Sequence, residues 1–130
     1  MRKLALTFGL VAALSTGLAW AALDLSDFDD DTMRDMDDAI KDLEPVIEAK
    51  NAATAGQDVQ VLQNGFKETE DYFTRKGVDD AVKMARHEQD QAAQVSKFLA
   101  AGDFDSAATA AREVSHACKT CHDSYKPLTK

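Results

Sequence analysis

The sequence predicts an all-α fold, an antiparallel up-down-up-down four-helix bundle, and three observations carry that expectation. No stretch sustains the alternation of apolar and polar residues that marks a strand, and β-branched or aromatic clusters are few. Apolar residues instead recur in steps of three and four, the spacing of one helix face. Short glycine-marked turns separate these stripes, and about a hundred residues divided this way suit four amphipathic helices around one core.

Residues 1–21 stand apart from the pattern. Arg2 and Lys3 precede an apolar run from Leu4 to Leu14, and small residues surround Ala19-Trp20-Ala21. This is the three-part layout of a secretory signal peptide, cleaved after about Ala21. An uncleaved membrane anchor is the alternative, but the run is short for a span of roughly 20 residues, and Ser15, Thr16 and Gly17 interrupt it. The bundle domain is therefore assigned to 22–130, 109 residues, enough for one core and too few for two. The expected location is the periplasm, with no membrane insertion of the mature chain.

The first helix begins in the acidic stretch Asp27 to Asp31, where negative charge suits a helix N-terminus, and its stripe runs through Met33, Met36, Ile40, Leu43 and Ile47. Pro45 should kink or divide it, and Gly56 is the expected stop. A second stripe passes through Val59, Leu62, Phe66, Thr69 and Phe73, with Gly77 placed as its C-terminal cap. The third takes in Val78, Ala81, Val82, Ala85, Ala92, Val95 and Leu99, up to Gly102. Asp103 can cap the fourth, whose stripe is Phe104, Ala107, Ala111, Val114, Cys118, Cys121 and Tyr125, with Pro127 just past its end. Both cysteines should face the core.

Without residues 1–21 the chain carries 13 basic and 23 acidic side chains, a balance of −10. Such a surface repels nucleic acid and anionic lipid and steers toward a basic partner, or serves only to keep an exported protein in solution. Export also places the chain where two free thiols tend to become a disulfide unless something else consumes them.

Cys118-Lys119-Thr120-Cys121-His122 is a Cys-x-x-Cys-His pentapeptide, the attachment signature of c-type haem. Residues three apart are neighbours on a helix, so two thiols can reach the two vinyl groups on one porphyrin edge, and the next residue can bring an imidazole beneath the iron. One covalently bound haem c is thus expected, with Cys118 and Cys121 as thioethers and His122 as an axial ligand. Three other uses of these residues stay open. A thioredoxin-type pair belongs at the start of a helix that follows a strand. A structural zinc site wants four ligands, and only His87 and His116 remain as further imidazoles, without finger-like spacing. A plain disulfide leaves His122 unexplained.

Placed on the last of four helices, the motif makes the chain resemble the class II c-type cytochromes, the group of cytochrome c prime and its low-spin relatives. The specific part of the resemblance is Ala117 to Lys126; the remainder of 22–130 matches in helix pattern only. The resemblance implies that a residue of the first helix covers the other haem face: an apolar side chain where the iron is five-coordinate, or a methionine in the low-spin members. Met33 matches that position as a possible sixth ligand, and Met36, one turn on, is haem packing or the alternative ligand. A methionine and histidine pair raises the reduction potential; the other use of both methionines is ordinary core filling. Tyr125 and Lys126 match the family's aromatic and basic pair near the haem edge. The family often carries an arginine one turn before the distal position, where this chain has Asp29 or Asp30. Ala107, Ala108, Ala110 and Ala111 are expected to leave room beside the porphyrin or simply to favour the helix, and His87 and His116 are expected at the surface.

The function expected is that of a soluble periplasmic electron carrier, with redox partner proteins that offer a basic docking surface. The alternative is a five-coordinate haem protein that binds small gases (NO, CO) in the manner of cytochrome c prime. Nothing suggests a nucleophile, an acid–base pair or a substrate pocket, so no enzymatic activity is expected. Members of the family occur as monomers and as homodimers, and both states are carried forward.

Overall fold

The computed structural model describes residues 23–125; the expected signal peptide, Lys126 and Pro127 lie outside the described residues. The chain forms α1 (Asp30–Glu48), α2 (Ala52–Lys76), α3 (Asp79–Ala100) and α4 (Phe104–Tyr125), with no strand among the described residues. α1 packs on α2 and α4, and α3 packs on the same two helices, so each helix has two neighbours and the diagonals make no close backbone approach. No described helix is long and apolar enough to cross a membrane.

Local chemistry sets the helix ends. Asp29 caps α1 by accepting a hydrogen bond from the Asp31 amide at 2.9 Å, and Asp103 caps α4 by accepting one from the Ser106 amide at 3.0 Å. Gly77 ends α2 in the left-handed region, φ 70°, where a Cβ would be strained. The first turn departs from expectation. Gly56 does not stop a helix; it lies inside α2. The chain reverses instead at residues 49–51, where Lys50 takes φ 57° and the Asn51 side chain accepts from the Thr54 amide at 3.2 Å. A side-chain cap supplies an acceptor for an unpaired helix amide, which a glycine cannot. Pro45 does not divide α1 either, because it lies in the last turn and the helix ends at Glu48.

Four stripes meet in one core. Leu43, Ile47, Val59, Leu62, Val95 and Val114 are fully buried and fill one end of the bundle. Ala107, Ala110 and Ala111 belong to this packed core and let α4 approach closely; they do not line the cavity described below, contrary to the room expected beside a cofactor. At the other end a second cluster joins Leu25, Tyr72, Phe73, Ala81 and Val82, with Phe28, Val78 and Tyr125 packed against it. Residues 23–29 thus strap across the end of α2: the Phe28 and Tyr72 rings meet edge to face at 4.8 Å, and the Tyr72 hydroxyl donates to Asp27 Oδ1 at 2.7 Å. Lys76 pairs with the same carboxylate at 2.8 Å.

Candidate functional site

Between these two clusters the helices enclose a cavity of about 210 Å³. α1 supplies Met33, Met36, Asp37 and Ile40, α2 supplies Phe66 and Thr69, α3 supplies Glu88, and α4 supplies Ser115, Cys118, Cys121 and His122. A smaller recess of about 40 Å³ shares Met33, Thr69, Cys121 and His122 with it and extends to Phe28, Tyr72, Phe73 and Tyr125. The two spaces therefore form one trough, with α4 along one wall and α1 along another.

The sequence-predicted residues converge here. Cys121 is buried and Cys118 half-buried, and both open onto the cavity from adjacent turns of α4. His122 is exposed and lies where the two spaces meet. Met33, half-buried, faces the same two spaces from α1. Tyr125 lines the smaller space, its ring 5.3 Å from that of Phe73. His87 and His116 are exposed and belong to a different recess.

The structure separates the two methionines. Met36 is buried against Gly65 of α2, where an added Cβ would collide with its Sδ and Cγ atoms. Absence of a side chain at Gly65 thus makes the seat in which the Met36 thioether rests. Met33 is half-buried, packed against the edge of the core where it borders the cavity. Of the two acids expected one turn before Met33, Asp29 is occupied as the α1 cap and Asp30 borders the smaller recess.

One residue of the site escaped the sequence reading. Glu88 is only 4 % exposed, on the inner face of α3, and burial alone pushes its carboxyl up to about 7. A signal for it existed: steps of three and four run from Ala81 and Ala85 to Ala92 and Val95, and position 88 completes the stripe, so an acid stands where an apolar residue is expected. The nearby charge of Glu88 also acts on the thiols. Burial first, and Glu88 second, push Cys118 up to about 12 and Cys121 up to about 11.

Those directions bear on what the arrangement can do. A reactive redox pair needs a thiolate at neutral pH, favoured by positive surroundings; here burial and a carboxyl group keep both thiols protonated. Among the described residues no three His, Cys, Asp or Glu side chains gather where they could hold a bare metal ion, so the zinc arrangement is not formed there. What the site offers is two thiols three residues apart, one imidazole and one facing thioether around an apolar trough, a donor set that fits a flat iron porphyrin held by its edge and by its metal. Compared with family models, curated proteins and solved structures, the chain matches none.

Proposed function

We propose that this chain is a monohaem c-type cytochrome of the class II kind, an antiparallel up-down-up-down bundle that works as a soluble periplasmic electron carrier rather than as an enzyme. The observation that carries this reading is the convergence of Cys118, Cys121 and His122 of α4 with Met33 of α1 on one apolar trough. Cys118 and Cys121 would bond the porphyrin edge as thioethers, which also disposes of two thiols in an oxidising compartment. His122 would hold the iron from one side, and Met33, which lines the trough from α1, would hold it from the other. When bound, the haem supplies a one-electron couple between ferric and ferrous iron. The chain's part is to hold that group rigidly: Ile40, Phe66 and the seated Met36 exclude water, and the strap formed by residues 23–29 covers the lower end. The acidic surface suits a partner with a basic docking face.

Gas binding is the second reading, favoured by the apolar character of the wall around Met33. Besides that thioether, α1 and α2 give the wall the packing side chains Met36, Ile40 and Phe66, with Asp37 and Thr69 as its polar members. A haem with Met33 displaced would present an open face. Absorption spectra of protein matured in a host competent for c-type haem attachment decide between the readings. Sharp low-spin bands, unchanged under carbon monoxide and turned high-spin by Met33→Ala, are the expected result. High-spin bands that shift promptly with the gas would favour the second reading, and a protein of haem-free mass would overturn both.

A further inference from the structure

Glu88 belongs to two spaces at once. On the inner side it faces the cavity with Cys118 and Cys121; on the outer side it closes a recess of about 270 Å³ lined by Met84, His87, Glu113, His116, Ala117 and Thr120. Apart from Met84 and Ala117, which are half-covered, those outer residues are exposed, so the recess communicates with solvent. The residue therefore borders both the trough and a solvent-open recess that carries two of the chain's three histidines. A carboxyl group at a packing position of α3 does nothing for the bundle that an alanine or leucine would not do better.

Resting on the haem reading above, we propose that Glu88 is a proton-binding site coupled to the electron: the chain takes up one proton at this carboxylate when it is reduced and releases it when it is oxidised. The balance is one electron from a donor protein and one proton from solvent on the way in, giving ferrous iron and a carboxylic acid in place of ferric iron and a carboxylate. The coupling is electrostatic. An added electron makes the trough more negative, and a carboxyl shielded from water responds by holding its proton more tightly. Burial already places its titration near neutral pH, where the coupling operates. The other titratable groups are placed differently. Asp37 of α1 is exposed and paired with Lys41, Cys118 and Cys121 of α4 would be consumed by thioethers, and α2 contributes only Phe66 and Thr69. His122 lies farther along the trough, toward Tyr125, while Glu113 and His116 of α4 and His87 of α3 line the outer recess. The opening of that recess to solvent makes it a route for proton exchange.

The test is a spectroelectrochemical titration of the haem-loaded protein across neutral pH, for the wild type and Glu88→Gln, which keeps the shape and removes the proton. The wild-type potential should fall as pH rises, approaching about 59 mV for each tenfold drop in proton activity within the coupled range, and the variant should lose that slope. Reduced-minus-oxidised infrared difference spectra of the wild type give a second measurement that needs no variant: a carboxylic acid carbonyl band should be gained on reduction. A slope that survives in Glu88→Gln, a flat wild-type profile, or no carbonyl band would each overturn the proposal while leaving the haem reading intact. Protein without haem would remove the reading on which it rests.

Discussion

At one end of the bundle Leu43, Ile47, Leu62, Val95 and Val114 close on one another without reaching solvent; toward the other, short of the aromatic cluster, the same four helices part around Met33, Glu88, Cys118 and Cys121. The first end buries hydrocarbon and satisfies its backbone within helices. The second contains a void and a buried acid, each of which costs stability, beside two free thiols. Within one small domain the closed end therefore stabilises the fold and the open end spends that stability on a site.

The sharpest way to break this contrast is to damage each end in turn. Leu43→Ala, in the closed end, should lose on the order of 2–5 kcal/mol in urea denaturation, the usual cost of a cavity in a packed core. Met33→Ala, half-buried at the trough, should lose only about 1 kcal/mol of the haem-free chain's stability, since it already borders a void and is only partly buried. Equal losses would refute the division of labour.

The buried acid gives a test of nearly the same size. The folded state holds the Glu88 proton up to about pH 7, whereas an unfolded glutamate loses it near 4.5, so the folded chain binds the extra proton between those values. Stability contributed this way is full below the lower value and falls as pH rises through the window, by on the order of 3 kcal/mol in all. Unfolding of the haem-free wild type and of Glu88→Gln at several pH values should show that slope in the first and not in the second. A parallel pH dependence in both would mean that the acid is not held neutral by the fold.

The smallest effect sharpens the account of the methionines. Gly65→Ala gains about 1 kcal/mol of helix propensity but drives a methyl group into the Met36 thioether, an overpacking cost of about 1–3 kcal/mol. A net loss near 1 kcal/mol is expected, and Met36→Ala in the same chain should relieve it. Additive effects in that double-mutant cycle would show that the two side chains are not in one another's way.

Much of this was legible in the sequence and some was not, for physical reasons. Stripes at steps of three and four are written by the core itself, so four helices, their caps at Asp103 and Gly77, and the convergence of the cysteines could be read directly. The turn at 49–51 was obscured because Gly56 looks like a breaker, while the actual signal, Asn51 before a helical run, is a single polar residue. Glu88 stands in its stripe as an acid, a residue type that ordinarily faces solvent, so the stripe is read without it. That Met36 is seated could not be read from α1, because its seat is made by a missing side chain at Gly65 of α2.

The rings of Phe28, Tyr72, Phe73 and Tyr125 follow one another at 4.8, 5.2 and 5.3 Å along the end of the trough. They contain both tyrosines of the chain, and its single tryptophan, Trp20, lies outside the described residues. Tyrosine emission from residues 23–125 thus originates beside the site and not in the closed end. The protein carries its own optical probe, placed where quenching by an absorbing cofactor would register first, and where local opening of the strap could be followed in time without attaching a dye.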